Sequence, residues 1–332
     1  MNGSDSIDAV VMAGDKGRAS RMVLGTNKAL LEAEGVPFIN WVLSALEDTH
    51  GIQRIIVLGP RRRLEEAIAR AKNPFRGIKE VVVLEQEENF LANAWKGFIY
   101  SVPCPESEIQ FLPPDSPVRE HGVLYCSCDI PLLIAAELEE FLSNLDIVHY
   151  DYFLGLTAEA DLEPFYPTPD RPGIKMACFH FRDGSFRQNN IHFVKPLKIK
   201  HRSYIQDMYN YRYQRQWGKI IGLGWEAIKL GGRNTRFLRH FFSLHLARAM
   251  VKLGLRNVRF LRHLFLNRRD VESSISPILG TRFTSVLTSF GGAALDVDSE
   301  EHYAVMKFNF SRWRDFLAQK ARAHQLSQQK AV

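Results

Sequence analysis

The sequence predicts an α/β fold built on a mostly parallel mixed sheet, with a helical subdomain inserted late in the chain. Three observations lead there. Short apolar runs of strand length alternate with helix-length segments through residues 9–100, the rhythm of a parallel sheet. Polar chemistry follows the apolar runs at two places, a basic glycine-bearing loop after residues 9–12 and an Asp-Ile-Pro at 129–131. Both would stand at strand carboxyl ends, where open α/β sheets bind ligands. The rhythm then breaks over residues 197–281, which read as basic and helical.

Residues 9–12, AVVM, have the length of a buried parallel strand. The loop after them offers Gly14, Lys16, Gly17, Arg18 and Arg21, and Lys28 follows. Backbone amides, lysine and arginine are what a loop presents to phosphate. No G-K-[ST] follows the glycines and no G-x-G-x-x-G is present, so neither a Walker A loop nor a dinucleotide fingerprint is implied. A solvated basic loop is the alternative at this point.

A helix is expected over 38–48, a buried strand over 54–58 (RIIVL), a charged helix over 62–72, a strand over 80–84 (EVVVL) and a helix over 89–100. Residues 103–121, rich in Pro and Ser, read as a surface connection. An apolar strand from Val123 ends in Asp129, where Pro131 stops pairing and holds Ile130 extended. A carboxylate there suits Mg²⁺, which needs few protein oxygens when phosphates supply the rest. Asp129 is equally placed to cap a helix over 135–145. Residues 163–172 are a Pro-rich loop, 175–181 a strand, 182–185 a hairpin turn and 190–194 a further strand. Residues 293–298, AALDVD, read as a last strand. Ser299, Glu300 and Glu301 then suit a helix start, and the polar tail helix is expected to fray after residue 323.

The chain has 332 residues, a net charge of +6 and four cysteines, at 104, 126, 128 and 178, without paired spacing. Neither a zinc site nor a disulfide framework is implied. No run is apolar enough to span a bilayer, and residues 1–10 have no signal pattern, so a cytoplasmic protein is expected. The charge is uneven. No acidic residue lies between Glu226 and Asp270, where NTRFLRHFF (234–242) repeats as NVRFLRHLF (257–265). Three readings stand: packed helices with a solvated basic face, peripheral contact of residues 229–269 with an anionic inner membrane surface, or a helical hairpin in a homodimer. No recognisable nucleic-acid module is present, and no nucleic-acid partner is expected.

Several short motifs combine. Ala13, Gly14 and Gly17, then Ser20-Arg21-Met22, Lys28 with Leu30, Gly35 with Pro37, Asp129-Ile130-Pro131 and Asp296-Val297-Asp298 occur in that order. Together they resemble the nucleotidyltransferase superfamily with a GT-A-like Rossmann fold, which includes molybdenum-cofactor guanylyltransferases and sugar-phosphate nucleotidylyltransferases. Two departures are visible: Asp15 stands for the second glycine, and Arg18 and Ala19 are inserted before Ser20.

The resemblance implies a three-layer α/β/α sandwich with a core over 1–196, the helical insertion over 197–281 and a return to the core over 282–332. It implies Mg²⁺-dependent transfer of NMP from an NTP to a phosphorylated sugar, polyol or alcohol, with release of pyrophosphate. Ala13, Gly14, Asp15, Gly17 and Asn93 would meet the nucleotide, and Arg21 or Arg18 the leaving pyrophosphate. Lys28 would stabilise developing charge. Asp129 and Asp298 would hold the metal, with Asp296 the alternative to Asp298. Asn190, with Asn189 and Lys175 nearby, would meet the acceptor. A GT-A glycosyltransferase and a non-catalytic nucleotide-binding protein are the other readings.

Overall fold

The computed structural model describes residues 6–16, 22–70, 72–206 and 266–331. Its strands are β1 (Ile7–Met12), β2 (Glu32–Ala33), β3 (Val36–Pro37), β4 (Ile52–Gly59), β5 (Glu80–Glu85), β6 (Val123–Ser127), β7 (Tyr152–Ala158), β8 (Phe179–Phe181), β9 (Gly184–Val194) and β10 (Phe283–Thr288). The helices are α1 (Phe38–Asp48), α2 (Arg61–Ile68), α3 (Phe90–Ser101), α4 (Glu106–Ile109), α5 (Ala135–Ser143), α6 (Glu159–Leu162), α7 (Arg268–Leu279) and α8 (Glu300–Ala331).

The main sheet runs β10-β7-β9-β6-β1-β4-β5, with β8 on β9. All pairs are parallel except those made by β9, which runs against β6, β7 and β8. β1 lies centrally, and Val10 sits opposite Ile56 on one side and Tyr125 on the other. Its apolar residues divide by alternation. Ala9 and Val11 enter a core with Ile39, Val42 and Leu43 of α1 and Phe141 of α5. Val10 enters a second core with Phe98 of α3. Helices therefore cover both faces, which is why β1 is continuously apolar after Asp8. The third core lies along α8, where Met306, Phe310, Trp313 and Leu317 form one helical stripe.

The short β2–β3 turn places Glu34 and Gly35 at φ 54° and 73°. Glycine accepts this backbone readily, and Pro37 then leads directly into α1.

The differences from expectation have local causes. β7 and β10, parallel partners, were not foreseen. Residues 293–298 are not a strand: Gly292–Ala294 form a 3-10 turn and the rest is irregular, tied to β6 by the Val297 N–H donating to the Asp129 carbonyl at 3.2 Å. Strand pairing after 175 begins only at Phe179. The connection over 103–121 contains α4 and a 3-10 turn, Pro117–Glu120. α2 stops at Ile68, and α8 continues past 323 to Ala331. The basic repeat and most of the expected insertion, residues 207–265, lie outside the described residues, so the readings of membrane and homodimer contact fall there. α7 packs on β10. Among the described residues no helix is long and apolar enough to cross a membrane.

Candidate active site

The site grows from the carboxyl end of β1. The Ala13 N–H donates to the Leu58 carbonyl, extending the β1–β4 pairing, and the chain then turns through Gly14, Asp15 and Lys16. Gln86, just after β5, holds this turn: its Oε1 accepts from the Asp15 and Lys16 amides at 2.7 and 3.2 Å, and its Nε2 donates to Asp15 Oδ1 at 2.7 Å. Asp15 Oδ2 also accepts from Asn27 Nδ2 at 3.2 Å. The residue in place of the second glycine thus fastens the loop. Gly14 leaves room for Asn93, whose Nδ2 would lie 3.0 Å from a Cβ added there. Asn93 Oδ1 accepts the Glu87 N–H at 2.7 Å. Gly17, Arg18 and Arg21 lie outside the described residues.

Asn27 also fixes Lys28. Its Nδ2 donates to the Ala13 carbonyl at 2.8 Å, and its Oδ1 accepts the Ala29 N–H at 2.8 Å, capping the 3-10 turn Lys28–Leu30. The Lys28 ammonium then donates to Asp129 Oδ2 at 2.7 Å and Asp298 Oδ1 at 2.5 Å. Burial works against its charge, but the two carboxylates outweigh that and raise its pKa.

Asp129 is not a helix cap. α5 starts after Ile134 without a side-chain cap, and the Asp129 carboxylate instead accepts from Lys28 and the Ser127 hydroxyl. The Val297–Asp129 backbone bond brings the later segment alongside. Carboxylate oxygens of Asp129, Asp296 and Asp298 all lie within 4.8 Å of one another. Asp296, weighed in the sequence only as an alternative to Asp298, stands with both. It is buried and accepts from Arg187 at 2.8 Å. Burial, with the negative charge of Asp129 next, pushes its carboxyl above the ordinary value. Hard oxygens at this spacing, with like charges crowded together, fit a small divalent cation.

A cavity of about 650 Å³ opens over these groups, lined by Gly14, Asp15, Lys28, Asn93 and the three acids among others. Asn190 lines it too, with its Nδ2 donating to the Ala293 carbonyl at 3.1 Å. Asn189 points to the other face of the sheet, where its Nδ2 donates to Thr288 at 3.0 Å, because successive strand residues alternate. Lys175 is exposed and does not line the cavity; its ammonium lies 5.4 Å from the Tyr166 ring centroid. Sequence reasoning missed Asn27, Gln86, Ser127 and Arg187. The only local signals were Asn27 directly before Lys28 and a polar Gln86 directly after an apolar strand.

Residues 9–166 match the family model of the MobA-like NTP transferase domain. No curated protein matches the sequence. Among solved structures, a hypothetical transferase from Thermus thermophilus is 22% identical with a TM-score of 0.53, over 90% of this chain and 99% of that one, a likeness of fold. The 4-diphosphocytidyl-2C-methyl-D-erythritol synthase of Anaerococcus prevotii DSM 20548 is 9% identical with a TM-score of 0.43, over 92% and 99% of the chains. The inositol-1-phosphate CTP transferase of T. maritima is 14% identical with a TM-score of 0.35, over 65% and 77%. The last two similarities are too low to carry an argument. Residues 9–166 are thus similar to the MobA-like NTP transferase domain, and the mostly parallel sheet around them agrees with that likeness.

Proposed function

We propose that the protein is a divalent-metal-dependent nucleotidyltransferase that moves NMP from an NTP to a phosphorylated small acceptor and releases pyrophosphate. The observation that carries this reading is the meeting of Asp129, Asp296 and Asp298 within 4.8 Å, beside Lys28 and the turn after β1. The acceptor needs little acid–base help, since a phosphate monoester has its second pKa at about 6. One of its oxygens forms the new bond to the α-phosphorus. The bond from that phosphorus to the β-phosphate bridging oxygen breaks, and pyrophosphate leaves with the electron pair.

The protein's task is alignment and charge neutralisation. Asp129, Asp296 and Asp298 would hold Mg²⁺, which supplies Lewis-acid neutralisation of phosphate charge. Gly14 permits close approach of the nucleotide to the backbone, with Asn93 beside it. Lys28, held at the acids by Asn27, meets the charge that develops on phosphate oxygens. Arg21 or Arg18 would hold the leaving pyrophosphate.

The test is Asp129→Asn. Pyrophosphate release from the four NTPs with a panel of phosphorylated acceptors should fall at least about a hundredfold, while circular dichroism stays that of the wild type. Full activity in this variant would remove Asp129 from the mechanism. Sugar transfer from an NDP-sugar without pyrophosphate would replace the reading with glycosyl transfer.

A further inference from the structure

The cavity does not end at the acids. α3 packs over β1 and β4, and α7 packs over β10. Between them the cavity floor follows β9, where Gln188, Asn190, His192 and Val194 line it at every second residue. At about 3.4 Å per residue that floor extends about 20 Å. Register fixes its direction. Cys126 pairs with Ile191, so Asn190 and Gln188 lie toward Asp129, whereas Val194 pairs with Val123 at the far end of β6. Along β9 the lining passes from Gln188 and Asn190 near the acids to Val194 at the far end. Leu154 and Leu156 of β7 form the floor beside β9, and Val271, Ile275 and Leu279 of α7 form the wall. Val271, Ile275 and Leu279 recur at four-residue intervals on the face turned to the cavity, with Arg268 and Glu272 at its start. The Tyr152 hydroxyl and His192 Nδ1 meet each other at 3.1 Å within this arm.

The polar groups of this wall, Arg268, Glu272 and Ser285, are bonded to one another, so a sugar or polyol placed here would lose water and compete with those bonds, at a cost for each unmatched hydroxyl. A hydrocarbon chain would gain from the same walls. We propose that the acceptor is an amphiphile, a phosphate monoester of a long-chain or isoprenoid alcohol. Its phosphate sits at the acids and its chain runs between β9, β7 and α7. The phosphate end rests on the nucleotidyl-transfer reading; the chain end rests on the cavity. The bonds made and broken are those of that reaction, with no oxidant or reductant.

The experiment uses the full chain with butyl, hexyl, octyl and decyl phosphate below their micellar concentrations, and glycerol phosphate as the polar reference. Calorimetric binding without NTP reads the chain site, and pyrophosphate release with NTP and Mg²⁺ reads the reaction. Affinity should rise about threefold to fourfold per added methylene until the arm is full, and decyl phosphate should bind at least about a hundredfold more tightly than glycerol phosphate. Ile275→Trp, which fills the arm, should flatten the series. If it folds poorly, Ile275→Ser should weaken decyl phosphate at least about fivefold. Rising affinity with pyrophosphate release supports both proposals. Rising affinity without pyrophosphate release keeps the chain site and overturns the nucleotidyl-transfer reading. Affinity independent of chain length, or a preference for glycerol phosphate, overturns the amphiphile proposal whatever the turnover.

Discussion

Replacing Lys28 by Met removes the charge that bridges Asp129 and Asp298. The three side chains are largely buried, with 12%, 9% and 22% of their surfaces exposed. Breaking a buried pair by deleting one partner costs about 3–5 kcal/mol. The partial exposure of Asp298 argues for the low end, about 3 kcal/mol. The remaining carboxylates, with Asp296 within 4.8 Å, then repel one another across low-dielectric protein. At about 2 °C per kcal/mol for a chain of this size, the melting temperature in chelator should drop about 6 °C. Millimolar Mg²⁺ should restore most of that in the variant and shift the wild type less, since the ammonium already balances the acids. Catalysis should fall even where stability is restored. Thermal melts of both proteins, with chelator and with Mg²⁺, read the result. Equal melting in chelator, or no larger Mg²⁺ effect in the variant, would refute the picture of Lys28 as counter-charge to the acids.

Gln86→Ala should release the Asp15 and Lys16 amides; at about 1 kcal/mol per hydrogen bond, KM for NTP should rise about tenfold or more with a smaller change in kcat, and unchanged nucleotide kinetics would show that the turn holds without it. Glu137 is fully buried, and burial raises its carboxyl from 4.5 to about 7 against the opposing hydrogen bonds from Ala293, Thr288 and Gly291. The folded protein therefore keeps a proton there that the unfolded chain gives up, so this contribution is fully present below pH 4.5 and is lost as pH rises toward about 7. The interval is worth about 3 kcal/mol. Denaturant melts between pH 4.5 and 8 should show the wild type losing that much relative to Glu137→Gln, and parallel profiles would count against it.

The sequence made the centre of the fold readable because its strands are unmixed. AVVM, RIIVL and EVVVL are apolar runs of strand length, and the segments between them are long enough for helices. β7 and β10 escaped notice for opposite reasons. In YFLGLTA, Gly155 interrupts the pattern, and it is there because Asn189 packs against it: a Cβ would fall 1.9 Å from Asn189 Oδ1. In FTSVLT, half the residues are polar and Thr284 and Ser285 are adjacent, so no apolar run of strand length marks it. AALDVD misled in the other direction, since it is buried against β9, α5 and α8 without pairing into a sheet. At the site, Lys28, Asp129 and Asp298 each stand in a motif with local spacing, and the fold brings them together. Gln86, Asn27 and Arg187 each also hold a partner between 12 and 109 residues away, which no short pattern encodes. The motif put Asn190 first and Asn189 second; the register of β9 sends Asn190 into the cavity and its neighbour through the sheet.

The hydrogen bond from Val297 to Asp129 joins two positions widely separated in the order of synthesis. A ribosome delivers the cationic turn and the first acid long before the other two. The stretch 9–166 that matches the family model thus holds Lys28 and Asp129 but neither Asp296 nor Asp298. On the proposed function, a chain cut before residue 296 should release no pyrophosphate from NTP, because two of the three clustered carboxylates would be missing.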